Sequence, residues 1–404
     1  MFNKKSIFLS ASIMATMLFG LDKPLVLPDI LKAESRVHHR DMIKPIFNRK
    51  GPTIQIGILL DTSNSMDGLI NQAKAQLWKI VNEVAKANRD NKSVNIQVGL
   101  FEYGKSTLPY YEGYLQMLSP LTYDLDRVSD ELFSIHTRGG NEYAGKVILE
   151  AVNRFSWSNN SNDLKLLIIA GNESFAQGDV PYQKAIQKAV NNGIIVNTIF
   201  CGNAIRGGLL EWSNGAKLGN GKAFNINSND KIEYIATPYD DNIIELGTSL
   251  NSTYLEYGVK RVREAKMLNI YKQDKNSKEL SKSSYIERNI VKSKKQYKQA
   301  SSDMITAFIE DEKSINSISV EKLPDELQGK SRDEIKKIVE SKKLKREEIQ
   351  KEIKILENKR AKYLADKSSK DSKNLGEAII KSIRIQAVEK GFVFEKSIIV
   401  NKDI

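Results

Sequence analysis

The chain has 404 residues, 40% of them hydrophobic and 28% charged, with a formal net charge of +12. That apolar share excludes a disordered protein, and the length suits two or three domains of roughly 100–200 residues. A single cysteine, Cys201, excludes a fold held by internal disulfides.

Lys4 and Lys5 precede an apolar stretch at 7–18, the pattern of an export signal. Residues 1–33 therefore read as a signal peptide cut after Ala33, or as an uncleaved N-terminal anchor over 7–27. Either way the protein is expected to be exported, periplasmic or secreted, and the anchored form would associate with a membrane through its N-terminus. Residues 34–52 are basic, carry Pro45 and Pro52, and read as a linker.

From 53 to 258 short apolar runs alternate with helical spacing. TIQIGILL (53–60), NIQVGLFEYG (95–104), LKLLIIAG (164–171), IIVNTIFCG (194–202) and KAFNIN (222–227) read as strands. YLQMLSPLT (114–122) reads as an edge strand, because Pro120 cannot donate to a ladder. Helices are expected over 68–88, 124–136, 142–155, 182–192, 208–219 and 240–258, the second capped by Asp124 or Asp126 and the last closing the unit. Such alternation predicts an α/β fold: a doubly wound, mostly parallel sheet with helices on both faces. Cys201 lies in one of the strand runs, which gives it a buried position rather than a catalytic one.

Past residue 259 Lys dominates and Glu is mixed through it. The pattern suits a solvated helical surface. It lacks aromatic platforms, so no nucleic-acid partner is expected. Residues 272–285 read as a flexible stretch. Over 322–367 the residues Arg346, Ile349, Ile353, Leu356, Arg360 and Tyr363 follow a coiled-coil spacing broken by charge, which suggests a helical hairpin or stalk. A final amphipathic helix is expected over 374–395, ending at Gly391. The region 259–404 is therefore expected to be a helical appendage to the α/β domain.

In a parallel sheet, ligands collect at the carboxyl ends of the strands. Three loops belong there: DTSNSM (61–66), TRGGNE (137–142) and AGNES (170–174). Asp61, Ser63 and Ser65 offer one carboxylate and two hydroxyls at alternate positions. They suit a helix cap, and they equally suit one side of a cage for a hard, oxygen-seeking cation. As a nucleophile, either serine would need an adjacent base, and DTSNSM does not match a G-x-S-x-G elbow. The chain is not expected to be an enzyme.

The element order over 53–258, with D-x-S-x-S directly after the first strand, resembles the von Willebrand factor A-type domain. In that family the motif carries a metal-ion-dependent adhesion site. The resemblance implies Mg²⁺, or Mn²⁺ or Ca²⁺, at Asp61, Ser63 and Ser65, and a protein partner that offers a carboxylate. Where the family's second loop has Thr after the glycines, this chain has Asn141. Where the third loop has Asp, it has Gly171, with Asn172 and Glu173 beyond. The implied ligand set is Asp61, Ser63, Ser65, Asn141 and Glu173. Thr137, Glu142 and Asn172 are neighbours that would support it, and Tyr143 and Phe175 could form an aromatic rim. A structural protein whose metal site has degenerated is the alternative that the altered loops leave open.

Overall fold

The computed structural model describes residues 51–227, 234–297, 302–367 and 375–394. The expected signal peptide or anchor, and all of the linker up to residue 50, lie outside the described residues.

Six strands form one sheet. They are β1 (Thr53–Asp61), β4 (Asn95–Tyr103), β5 (Leu115–Thr122), β6 (Leu164–Gly171), β7 (Ile195–Cys201) and β8 (Ala223–Ile226), ordered β5-β4-β1-β6-β7-β8. All neighbours are parallel except β4 and β5. Pro120 therefore sits, as its missing N–H demands, in an edge strand. Between α1 (Asp67–Val84) and β4 a small hairpin joins β2 (Ala87–Arg89) to β3 (Lys92–Ser93), turning through Asp90 and Asn91 with φ of 53° and 58°.

The strands are buried on both faces. On β1, Leu59 faces a core built from α3 (Ala144–Arg154), α4 (Tyr182–Asn191) and α6 (Trp212–Leu218). Ile54, Ile56, Ile58 and Leu60 face the other core, with α1 and α2 (Leu125–Ser134). Asp124 caps α2, accepting from Arg127 N at 3.1 Å. The helix expected over 208–219 is two, α5 (Ala204–Leu209) and α6, broken at Glu211, whose φ is 70°.

Beyond the sheet the chain is helical. It forms α7 (Asp240–Asn251), α8 (Lys260–Leu280), α9 (Lys282–Lys292), α10 (Met304–Glu310), α11 (Arg332–Lys367) and α12 (Leu375–Glu389). The stretch expected to be flexible is the end of α8 and the start of α9. Its Lys, Gln and Glu are good helix formers, and Ser281 caps α9, accepting from Ser284 N at 3.0 Å.

The helix expected to close the sheet does not pack on it. Ile243 and Leu250 of α7 pack with Ile286, Ile290, Ile349, Ile353 and Leu356 of α9 and α11. The sheet face is instead covered by α12, whose Leu375, Ala378, Ile379, Ile380, Ile383 and Ala387 join the β1 core. Each of its larger apolar side chains contributes about 1.5–3 kcal/mol on burial. Asn197 of β7 and Gln386 of α12 exchange amide hydrogen bonds at 2.9 and 2.6 Å, which satisfies two buried polar groups at once. Past Gly391 the chain adds β9 (Val393–Phe394) antiparallel to β2. All described residues belong to one compact unit.

Polar contacts also tie the helices to the α/β part. Trp78 Nε1 donates to Ser277 Oγ at 3.0 Å, and Ser129 Oγ to Gln273 Oε1 at 2.8 Å. Arg288, with no exposed side-chain surface, bridges Asp126 of α2 at 2.6 Å and Asp274 of α8 at 2.5 Å. Among the described residues no helix is long and apolar enough to cross a membrane.

Candidate metal site

Strand β1 lies between β4 and β6, so its carboxyl end is where the strand order changes direction. Asp61 is the last residue of β1 and is fully buried. Its Oδ1 accepts from Ser63 N at 2.7 Å, which turns the chain sharply after the strand. Ser63 Oγ and Ser65 Oγ lie 3.1 Å apart. Neither serine caps α1 through its side chain, so the capping account does not explain this hydroxyl pair.

The other two loops reach the same point. Arg138 N donates to Thr62 O at 2.9 Å and brings the second loop beside the first. Asn172 Nδ2 donates to Ser65 Oγ at 3.0 Å and brings the third. Two glycines make the close approach possible. A Cβ on Gly104, whose φ is +82°, would stand 2.7 Å from Asp61 Oδ1 and 2.8 Å from Glu142 Cγ. A Cβ on Gly171 would stand 2.5 Å from Tyr103 Oη and 3.2 Å from Asp61 Cβ. The place where the family offers a carboxylate is thus taken by the buried Tyr103 ring, whose hydroxyl donates to Ala170 O at 3.1 Å.

The second loop departs from its expected geometry. Asn141 is exposed, and Glu142 is the residue that turns inward, buried against Asp61 and Ser63. The Glu142 backbone N–H donates to Gln177 Oε1 at 2.6 Å, fixing the turn. Thr137 does not reach the site, because its hydroxyl bonds Asp67 at the start of α1. Glu173 is exposed at the rim, where its charge acts on both Asp61 and Glu142. Phe175 is fully buried against Tyr182 and Trp212 and is a core residue rather than a rim. Tyr143 is half-buried and edge-on to Tyr114, with ring centroids 5.8 Å apart.

The Asp61 and Glu142 carboxyl groups meet at this point. Asp61 Oδ2, Glu142 Oε2 and Asn172 Oδ1 are all buried with no hydrogen-bond partner. Burial is the main reason the Asp61 carboxyl rises to about 6, with hydrogen bonds from Glu142 and Ser63 opposing it. Burial, then the hydrogen bond to and charge of Asp61, push Glu142 up to about 9. Two buried acids in contact disfavour double ionisation, so both carboxyls are held above their ordinary range. A divalent cation would satisfy the same orphaned oxygens, so the oxygen-only donor set of Asp61, Ser63, Ser65 and Glu142 fits a hard ion. Among the described residues no three His, Cys, Asp or Glu side chains converge as a metal site. Cys201 is buried with its thiol pushed well up by desolvation, which suits packing and not nucleophilic work.

Residues 55–238 match the family model of the von Willebrand factor type A domain. No curated protein matches the chain. Among solved structures, an aerotolerance-related membrane protein from Bacteroides fragilis is 19% identical over 44% of this chain and 93% of its own, with a TM-score of 0.32. The SpRpn10 VWA domain is 19% identical over 45% of this chain and 90% of its own, with a TM-score of 0.32. Proximal thread matrix protein 1 from the mussel byssus, with a zinc-occupied MIDAS motif, is 17% identical over 44% of this chain and 45% of its own, with a TM-score of 0.31.

Proposed function

Since the chain carries a von Willebrand factor type A domain over residues 55–238, we propose that it is an exported protein-binding module built around a divalent cation. Asp61, Ser63 and Ser65 would hold the ion, with Glu142 as a second carboxylate from the chain itself. Asn172 and Glu173 stand at the rim, and Asn141, being exposed, is left out of the ligand set. Mg²⁺ is the expected ion, with Mn²⁺ or Ca²⁺ as substitutes. The observation that supports this most directly is the trio of buried, partnerless oxygens on Asp61, Glu142 and Asn172. Such atoms are costly to leave unpaired, at roughly 1–3 kcal/mol each and more when charged. When bound, the cation would supply a Lewis-acidic centre at the sheet's carboxyl edge. The chain's residues would hold it in place and close off its inner side.

We read the module as non-catalytic. Ser63 and Ser65 hydrogen-bond each other, and the arrangement gives neither a general base. Export rests on the N-terminal signal pattern. The helical region would present the domain and complete its core.

A second reading has an observation of its own. Gly171 stands where the family's third loop offers a carboxylate, and burial favours the protonated form of the Asp61–Glu142 pair. In this reading the site has lost its metal and the protein is structural. Calorimetric titration of Mg²⁺ and Mn²⁺ into wild type and Asp61→Ala separates the two. Binding that disappears in the variant supports the cation-centred module. No heat of binding in wild type favours the structural reading.

A further inference from the structure

Resting on the cation-centred reading, we infer that Glu142 makes the site self-sufficient: it holds a divalent cation without a carboxylate from a partner. Charge and placement carry the inference. With one internal carboxylate and two hydroxyls, a bound divalent ion keeps a net charge of about +1, and a partner's carboxylate is then drawn in to complete and neutralise its shell. Here a second carboxylate is already inside. Glu142 is 6% exposed and Asp61 0% exposed. Each has a buried oxygen without a hydrogen-bond partner, and the two carboxyl groups interact. Two carboxylates balance a divalent ion, and Glu173 at the rim adds a further negative charge acting on the pair. An incoming carboxylate would meet a neutral centre inside a negative field, where like-charge approach is repulsive.

Placement is as specific as charge. Gly104 leaves out the Cβ that would collide with both acids, so the backbone is shaped around their contact. Asn141, beside Glu142, is exposed and supplies nothing inward. Glu142 is therefore where the loop puts its inward-facing ligand, and the chain has made that ligand anionic. The free coordination positions would go to water. The partner that reads this surface would offer a neutral or basic group to those waters and to Glu173.

The test uses Mn²⁺ and acetate on the full chain, by calorimetry and by the Mn²⁺ electron paramagnetic resonance signal, at matched ionic strength. Wild type is expected to bind Mn²⁺ equally well with and without excess acetate. Glu142→Thr is expected to bind Mn²⁺ at least tenfold more weakly, and to regain part of that affinity when acetate is added. Glu142→Gln, which keeps volume and burial, controls for misfolding and should lose affinity without the threonine's gap. A clear rise of wild-type affinity in acetate would overturn self-sufficiency while leaving the cation site standing. Mn²⁺ affinity unchanged in both Glu142 variants would also overturn it, since Glu142 would then not be a ligand. Absence of Mn²⁺ binding in wild type would bring down the underlying reading and this inference together.

Discussion

Two buried pairs of acids in this molecule have opposite surroundings. Asp126 and Asp274 hold Arg288 between them, with Lys292 on Asp274 at 2.8 Å and the guanidinium 4.8 Å from the Trp78 ring centroid. Asp61 and Glu142 instead meet each other, and each keeps a buried oxygen without a hydrogen bond. The first pattern recurs elsewhere: Asp303 is matched by Arg346 and Asp240 by Arg360, both at 3.0 Å or less. Asp126, Asp274, Asp303 and Asp240 are thus each matched by a cation from the chain itself. Asp61 and Glu142 keep buried oxygens without a hydrogen bond, as Glu256 Oε1 does, and the proposed cation would satisfy the first two.

The largest way to break this contrast is to delete 259–404. That removes Arg288 from Asp126 and strips α12 from the sheet face. No soluble, cooperatively folding α/β fragment is expected, as judged by yield and near-ultraviolet circular dichroism. A soluble fragment with a sharp melt would show that 53–258 stands alone, as its strand and helix pattern suggests. Next, Arg288→Met takes the guanidinium away from Asp126 and Asp274. Leaving buried charges uncompensated should cost about 3–5 kcal/mol in urea unfolding. A loss below 1 kcal/mol would mean that the cluster relaxes or hydrates.

The Asp61–Glu142 pair should respond in the opposite sense. Glu142 titrates at about 9 in the fold, against an ordinary carboxyl near 4.3 unfolded. Between those values the folded state binds more protons than the unfolded, so stability falls as pH rises. In chelator-treated protein, melting temperature should decline from pH 5 towards pH 9, and Glu142→Gln should flatten that decline. A slope unchanged in Glu142→Gln would place its origin elsewhere. The smallest effect belongs to Asn141→Ala, which should leave Mn²⁺ affinity unchanged. A tenfold loss there would restore Asn141 as a ligand.

The strands and their order of use were readable because buried parallel strands are continuous apolar runs, and D-x-S-x-S marks the end of one. Loop direction was not readable. After two glycines, nothing in NEY says which side chain turns inward; the bond from Glu142 N to Gln177 and the close approach at Gly104 accompany the inward Glu142. Periodicity showed that 374–395 has an apolar face but could not say what that face covers. A charge-rich composition suggested a solvated surface and concealed Arg288, Lys292, Arg346 and Arg360, all buried. Composition averages over a helix, whereas an ion pair depends on one residue meeting one partner. The seam residues Ile349, Ile353 and Leu356 are buried as their spacing indicates, yet α11 uses them against α7 and α9.

The return of α12 to the sheet also sets a schedule for folding. Residues 53–226 contain every strand of the main sheet, but the face on which α1 and α2 pack is completed only by residues 375–389. Contacts between such distant parts of a chain form slowly. During synthesis an incomplete sheet would therefore wait, sticky on one side, while about 150 further residues are added at roughly 5–20 per second.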